Sequence, residues 1–212
     1  MPRYQAAIER AELAELEARF GPLPRRRCRL AVDHPFLTGE NQMLVSDGRR
    51  AEICYIMHRG DPAAGLLLHI KTFYPAGAYR LPTGGIHQGE SVLETLAREV
   101  YEETGLTLGD GPGQARLQRC LGIVAYTLNH RSAGQRFAFA TYHFLLQAPA
   151  DREPAPVDPD EQIGGWLWRP AAALHEIAAR LASVRATEPA WGDWGRYRAL
   201  SHRFVASVLT PG

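Results

Sequence analysis

The chain has few cysteines, and none of them is closely spaced with another. Cys28, Cys54 and Cys120 are an odd number in a chain of 212 residues. Disulfide-stapled domains and zinc modules need paired or closely spaced cysteines. The sequence therefore argues against both classes, and it favours a reduced, cytoplasmic setting.

Long apolar runs, internal repeats and a strong net charge are also missing. The first twenty residues, MPRYQAAIERAELAELEARF, contain neither the apolar core of a signal peptide nor a stretch long enough to span a membrane. The net charge of +1 provides no field for nonspecific nucleic-acid binding. We therefore expect a small-molecule substrate, with neither nucleic acid nor a membrane as partner.

The most informative segment that is present runs GGIHQGESVLETLAREVYEETGL, over residues 84–106. Ser91 followed three residues later by Glu94 is a capping-box pattern, which predicts that a helix begins there. Gly105 predicts the end of that helix, because glycine adopts the left-handed conformation without a Cβ penalty.

Three carboxylates share one face of this predicted helix. Glu99, Glu102 and Glu103 are three and four residues apart, which places them in one arc at about 100° per residue. Like charges at this spacing destabilise a helix by a few tenths of a kcal/mol, so something positive has to offset them. Either basic neighbours such as Arg98 close a solvated acidic face, or the carboxylates bind a hard cation, Mg²⁺ or Mn²⁺. The complete spacing favours the metal. The adjoining arc is apolar and is expected to pack on a sheet: Val92, Leu93, Leu96 and Val100.

A glycine-rich loop precedes the helix. The run Leu81-Pro82-Thr83-Gly84-Gly85 allows backbone groups to approach a metal or a phosphate closely. Arg80 lies at the end of the strand predicted to lead into this loop, and it is a candidate phosphate ligand.

These residues together resemble the signature of the Nudix hydrolases. That signature is Gly, five residues, Glu, seven residues, Arg-Glu-aliphatic, one residue, Glu-Glu, one residue and Gly-aliphatic, and the chain matches it throughout from Gly84 to Leu106. The resemblance implies an α/β fold, an α/β/α sandwich with a mixed sheet. It also implies a pyrophosphohydrolase that uses Mg²⁺ or Mn²⁺.

The resemblance further implies roles for individual residues. The metal ligands are then Glu99, Glu102, Glu103 and the backbone carbonyl of Thr83. The structural residues of the motif are Gly84, Glu90, Arg98 and Gly105, with Arg98 pairing with Glu90. The general base varies in the family, so the catalytic candidates are Glu99, Glu102 and, on a later loop, Asp158, Asp160 or Glu161. That later run could equally be an ordinary proline-rich loop. Of its acidic residues, we predict that Glu161 is the catalytic one.

The sequence predicts three regions. Residues 1–40 are a helix at 2–20 and a solvated linker containing Arg25-Arg26-Arg27, residues 41–184 are the Nudix domain, and residues 185–212 are a helical extension packed on the core. Strands are predicted at 42–45, 51–58, 66–70, 78–81, 117–128, 136–146 and 165–168, and helices at 170–183 and 194–209. Asp47-Gly48 suggests a hairpin turn. Apolar residues on both extensions suggest a homodimer.

Several residues outside the motif are further candidates. His130 and Arg131, in a loop between two strands, are predicted to touch the substrate. Trp191 and Trp194, with Arg196 and Arg198, could stack a base and hold phosphate, but docking of a C-terminal helix is the favoured interpretation.

The leading function is hydrolysis of a diphosphate linkage in a nucleoside diphosphate derivative, with a nucleotide sugar or an ADP-ribose-like molecule slightly preferred. One alternative is a non-catalytic Nudix-fold module that binds a ligand or regulates a partner. Another is an enzyme similar to isoprenoid diphosphate isomerases, which would need a reactive cysteine such as Cys54 or Cys120.

Overall fold

The protein is described here by a computed structural model covering residues 7–33, 49–132 and 134–210. This part of the chain forms four α-helices and seven β-strands. The helices are α1 (Arg10–Phe20), α2 (Val92–Thr104), α3 (Leu174–Ser183) and α4 (Gly192–Leu209). The strands are β1 (Arg25–Val32), β2 (Glu52–His58), β3 (Leu66–Lys71), β4 (Thr83–Gly85), β5 (Arg116–His130), β6 (Arg136–Gln147) and β7 (Ile163–Arg169).

The strands form one mixed sheet. Their order is β1-β5-β6-β2-β3-β7, and the short β4 pairs with β2. The β1–β5 and β2–β6 pairs are parallel, and the other pairs are antiparallel. The mixed sheet predicted from the sequence is therefore confirmed.

Helices cover both faces of this sheet. Side chains of α1 and α2, such as Leu16 and Leu96, share one apolar core with Tyr55 of β2. Side chains of α3 and α4 share a second core with Ile56, the next residue of the same strand. Because successive residues of a strand point to opposite faces, β2 is buried along its whole length. The α/β/α sandwich is confirmed.

The linker predicted at the arginine cluster is wrong. Residues 25–32 form β1, an edge strand paired in parallel with β5 from Arg25↔Ile123 to Val32↔His130. Arg25, Arg26, Arg27 and Arg29 are all exposed. Charged side chains on an edge strand discourage pairing with another chain. Strands are usually recognised by β-branched and aromatic residues, and this arginine-rich run has few of them. The strand was therefore not predicted from the sequence.

Other predicted boundaries also differ. The first helix begins at Arg10 rather than at residue 2, and residues 1–6 lie outside the described residues. The strand at 42–45 and the Asp47-Gly48 turn lie outside them as well. The strand predicted at 78–81 is reduced to a single bridge between His69 and Arg80, because Pro82 has no N–H to continue the ladder.

Both extensions pack on the sheet of their own chain. Leu16 of α1 is buried, and Phe20 meets Phe144 of β6 edge to face at 6.4 Å. Trp194 and Tyr197 of α4 are buried on the opposite side. Apolar side chains of both extensions are thus buried against their own chain, and the dimer and the domain boundaries stay predictions. No helix of the described residues is both long and apolar enough to cross a membrane.

Candidate active site

Helix α2 begins and ends where the sequence predicts. The Ser91 hydroxyl accepts a bond from the Glu94 amide at 3.2 Å, and the Glu94 carboxylate accepts one from the Ser91 amide at 2.9 Å. Gly105 ends the helix in the left-handed conformation, with φ of 69°. Val92, Leu96 and Val100 are buried in the core. This packing holds the glutamate face of α2 at the border of the sheet.

Two glutamates of α2 meet a third from a distant part of the chain. Carboxylate oxygens of Glu99, Glu102 and Glu161 lie within 4.8 Å of one another. Glu99 is buried, whereas Glu102 and Glu161 are partly exposed. The three side chains therefore form an acidic group open to solvent on one side.

The loop after β6 brings Glu161 to this position. The last carbonyls of a helix lack partners within it, and this loop supplies them: the amide of Ala155 donates to the Thr104 carbonyl and that of Val157 to the Glu102 carbonyl, both at 2.9 Å. A short 3₁₀ turn, Pro159–Glu161, follows. Asp158 caps this turn, accepting a bond from the Asp160 amide at 2.9 Å. Among the later acidic candidates, the structure thus places Glu161 beside the helix.

Arg98 binds most of the acidic face. Its Nε donates to Glu90 at 2.7 Å, and its Nη1 donates to Glu99 and to Glu102, each at 2.8 Å. Its Nη2 donates to the Gly85 carbonyl at 3.1 Å. Desolvation opposes the charged form of Glu90, but bonds from Arg98 and Thr95 outweigh it and lower the pKa of Glu90 to about 2. Arg98 therefore fixes the carboxylates relative to β4.

Glu103 is fully buried behind this group. Tyr55 donates to its Oε2 at 2.5 Å, and Lys71 Nζ and His69 Nδ1 each lie 3.6 Å from its Oε1. Oε1 has no hydrogen-bond partner among the described residues. Burial, followed by repulsion from Glu161, raises the pKa of Glu103 despite the charge of Lys71. Burial, followed by repulsion from Glu103, also raises the pKa of Glu99.

This donor set fits a hard divalent cation. The raised pKa values of Glu99 and Glu103 show that these carboxylates lack enough nearby positive charge. The buried Oε1 of Glu103, which has no hydrogen-bond partner among the described residues, is a further oxygen that a cation could use. Mg²⁺ and Mn²⁺ prefer such oxygen ligands.

The glycines of β4 allow the loop to lie against the acidic group. A Cβ on Gly84 would overlap the carboxylate of Glu99. Thr83 and Gly85 are two residues apart in a strand, so their carbonyls point to the same side, and that of Gly85 binds Arg98. This direction is compatible with the metal contact predicted for the Thr83 carbonyl, which stays a prediction.

Arg80 is buried and braces the loop. Its Nη1 donates to the Leu81 carbonyl at 2.8 Å and to Thr83 Oγ1 at 2.9 Å, and its Nη2 donates to Tyr74 Oη at 2.6 Å. Arg80 therefore binds protein groups in the structure. A phosphate contact stays a prediction and would require some of these bonds to open.

The other two substrate candidates lie at the tip of the β5–β6 hairpin. Arg131 donates to the Ala31 carbonyl at 3.0 Å, to Asp193 at 3.1 Å and also to Asp33. His130 is buried, with its Nδ1 3.3 Å from Ser132 Oγ. The bonds of Arg131 join the hairpin to α4, and a substrate role for either residue stays a prediction.

The sequence interpretation missed Lys71, Tyr55 and His69, which surround Glu103. Lys71 also binds Glu161, with Nζ 2.5 Å from its Oε2. The sequence does contain an indication of this cluster in the run LLLHIK of β3. His69 and Lys71 are two residues apart, so they lie on the same face of an otherwise apolar strand. Buried charged residues usually have a charged partner.

The part of the chain that contains this site is similar to known proteins. The model of the NUDIX domain matches residues 48–188. The RNA pyrophosphohydrolase of Rhizobium meliloti (strain 1021) is 28% identical over 112 residues, covering 50% of this chain and 65% of that protein. That of Bartonella quintana (strain Toulouse) is 30% identical over 104 residues, covering 47% and 60%. The structure of the E. coli dihydroneopterin triphosphate pyrophosphohydrolase is similar with a TM-score of 0.44 at 20% identity, covering 61% of this chain and 84% of that one.

The matched part spans less than two thirds of the length of these curated relatives. The family itself is nevertheless shown, because the NUDIX match covers well over half of the chain and contains β2 to α3 with the whole acidic site. This chain belongs to the NUDIX family.

Proposed function

We propose that this protein hydrolyses a diphosphate linkage in a nucleoside diphosphate derivative and depends on a divalent cation. The observation that carries the proposal is the convergence of Glu99, Glu102 and Glu161, with the buried Glu103 behind them. Such a group serves little structural purpose, since like charges repel and burial of carboxylates is costly.

The residues that would hold the cation are Glu99, Glu102, Glu103 and the Thr83 carbonyl. When bound, Mg²⁺ or Mn²⁺ neutralises phosphate charge and makes a water molecule more acidic. Arg98 keeps the carboxylates in position. Glu161, oriented by Lys71, accepts the proton of the attacking water. The new P–O bond forms to that water, the bridging P–O bond breaks, and two phosphate-bearing products leave.

A nucleotide sugar or an ADP-ribose-like molecule is our preferred substrate. The near-neutral charge of the chain supports a small nucleotide over a polymer. A cytoplasmic location is part of the same proposal, and the three cysteines, all free in the structure, agree with it.

The 5′ end of RNA is a second candidate substrate. Curated relatives are named RNA pyrophosphohydrolase. Arg25, Arg27 and Arg29 are exposed on one face of β1 and form a basic strip that could bind a phosphate backbone.

The two alternatives outside hydrolysis receive less support. A ligand-binding module would not need the complete set of carboxylates. An isomerase would need an activated thiol, but burial raises the pKa of Cys54 well above its usual range and that of Cys120 to about 11.

The test is a panel of nucleotide sugars, ADP-ribose, dinucleotides, nucleoside triphosphates and 5′-triphosphorylated RNA, each with Mg²⁺ or Mn²⁺ and with a chelator as control. We expect cation-dependent release of phosphate-bearing products from a small diphosphate. Turnover of RNA alone would favour the second candidate. No turnover of any member with either cation would contradict hydrolysis, and binding without turnover would favour the ligand-binding module.

A further inference from the structure

Helix α4 lies outside the NUDIX match, and the side that it packs on the core is partly polar. His202 is buried, and its Nε2 accepts a bond at 3.0 Å from the amide of Leu81, the first residue of the glycine-rich loop. Tyr197, also buried, donates to Glu52 of β2 at 2.9 Å. An apolar face would be sufficient for docking. The polar residues instead connect α4 to β2 and to the glycine-rich loop.

Arg198 of α4 pairs with Glu52 through only one of its nitrogens. Nη1 lies 2.8 Å from both oxygens of Glu52. Glu52 Oε1 also accepts bonds from Tyr197 and from Thr141, each at 2.9 Å. The carboxylate is therefore well satisfied.

The other edge of the Arg198 guanidinium meets no acceptor among the described residues. Its Nε is buried without a partner, and within the described ranges no group accepts a bond from its Nη2 either. An arginine that served only to neutralise Glu52 would be expected to use a two-pronged fork. The Nε–Nη2 edge is instead left with two unused donors, the geometry that suits two oxygens of one phosphate.

This guanidinium is connected to the acidic site through the β2–β4 pair. Glu52 is the register partner of Gly85, whose carbonyl binds Arg98. Gly84, the neighbour of Gly85 in β4, lies directly against the Glu99 carboxylate.

A second arginine with an unused donor lies against the same strand pair. The side chain of Arg49 lies over Gly85, where an added Cβ would be 2.5 Å from its Nε. That Nε is buried and unpartnered in the part of the chain that the structure describes. Glycine at 85 therefore leaves room for an arginine whose Nε is not used by any of the described residues.

We propose that Arg198, assisted by Arg49, binds phosphate oxygens of the diphosphate substrate, so that the C-terminal helix forms part of the active site. The inference rests on the proposed function. It assigns the phosphate contact that the sequence predicted for Arg80 to residues whose donors are free. The cation and the arginines would then reach the substrate from opposite faces of the β2–β4 pair.

Binding of methylenediphosphonate, a diphosphate analogue that is not hydrolysed, tests the inference without requiring turnover. Arg198→Lys keeps the charge opposite Glu52 but removes the Nε–Nη2 edge. Arg203→Lys is the matched control, because Arg203 is exposed on the same helix. With Mg²⁺ present, calorimetry should show the dissociation constant rising about tenfold or more in Arg198→Lys and unchanged in Arg203→Lys. Equal affinity in wild type and Arg198→Lys would overturn the inference, as would absence of binding by the wild type.

A double variant controls for the possibility that an unpaired Glu52 causes misfolding. Glu52→Gln with Arg198→Gln removes both charges together and leaves two groups that can hydrogen-bond each other. We expect the same loss of affinity, accompanied by a raised KM rather than a lowered kcat on any panel substrate. Wild-type affinity in the double variant would show that Arg198 only balances Glu52. The two proposals can fail separately. If the wild type hydrolyses no panel member but binds the analogue, and these variants bind it more weakly, the proposed hydrolysis is contradicted and the phosphate contact of Arg198 is supported.

Discussion

Arg98 contacts four groups of the site with a single guanidinium. These groups are Glu90, Glu99, Glu102 and the Gly85 carbonyl. Removing one partner of a charged hydrogen bond costs about 1–3 kcal/mol when the other is left unsatisfied. We expect Arg98→Ala to lower the free energy of unfolding by about 2 kcal/mol, measured by urea denaturation, and to lower activity as well.

Arg98→Lys serves as the comparison, since it keeps the charge but cannot reach all four groups. Its stability should fall between those of the wild type and the alanine variant. Lost activity with an unchanged free energy of unfolding in Arg98→Ala would mean that Arg98 contacts substrate rather than holding the carboxylates.

Glu161 is the acidic residue of the later loop that reaches the site. We expect Glu161→Gln to reduce kcat by about 100-fold, equivalent to about 2.7 kcal/mol of transition-state stabilisation. Asp160→Asn, one residue earlier on the exposed side of the same turn, should leave kcat nearly unchanged. If Glu161 is a general base, the Mg²⁺ concentration that gives half-maximal activity should be unchanged in Glu161→Gln. If it is a metal ligand, that concentration should rise. Full activity in Glu161→Gln would exclude both roles.

At the scale of elements, the short strand β4 depends on its glycines. A Cβ at Gly84 would overlap Glu99, whereas at Gly65 the nearest neighbour of an added Cβ is Trp168 Cε3 at 3.8 Å. Gly84→Ala should therefore destabilise the protein by about 1–3 kcal/mol and reduce cation-dependent activity, as overpacking does. Gly65→Ala should change the free energy of unfolding by less than about 0.5 kcal/mol. Thermal melts of both variants decide the matter, and equal melts would show that the loop accommodates the extra methyl group.

Helix α2 could be predicted because its signals are local. Ser91, Glu94 and Gly105 are capping residues within one stretch of sequence, and the carboxylate face follows from helix periodicity. Strand β1 could not be predicted in this way, since its arginines reflect its edge position, which only the pairing with β5 reveals.

The parts of the site that depend on tertiary contacts were correspondingly harder to predict. Glu161 was one of three candidates for a catalytic residue on the later loop. Its position beside Glu99 and Glu102 depends on the hydrogen bonds between that loop and the end of α2, which the sequence does not reveal. Arg80 was predicted to bind phosphate, and the sequence did not show that its side chain is buried and donates to Thr83 and Tyr74. The surroundings of Glu103 come from β2 and β3, far from the motif in sequence.

At the scale of the whole molecule, the core between the sheet and α4 contains a buried histidine. His143 packs against Phe204 at 4.8 Å between ring centroids. Burial lowers its pKa to about 4, below the unfolded value of about 6.5. The unfolded chain therefore takes up this proton first, and the stability that neutral His143 contributes is lost as the pH falls from about 6.5 toward 4.

His143→Gln removes this titration. As the pH falls near pH 5, the free energy of unfolding should decrease less steeply in the variant than in the wild type. The two slopes should differ by about 1 kcal/mol per pH unit. Urea denaturation between pH 7 and pH 4.5 measures the slopes. Identical slopes would mean that His143 does not remain neutral in the folded protein.

The whole fold brings the site together from both faces of one sheet. Helix α2 presents carboxylates on one side, and α4 supports β2 and the glycine-rich loop on the other. The cation-binding role of the acidic group is the step on which the proposed reaction depends.

The kinetics of Glu103→Gln, with Glu94→Gln as control, test that step most directly. Glu94 is exposed on the same helix, and glutamine can retain its capping bond. At saturating Mg²⁺, on a substrate identified from the panel, Glu103→Gln should lower kcat by about 100-fold or more, or about 2.7 kcal/mol, with the free energy of unfolding unchanged or slightly raised. Glu94→Gln should retain wild-type kcat. Retention of kcat by Glu103→Gln would show that the buried carboxylate is not a ligand of the cation.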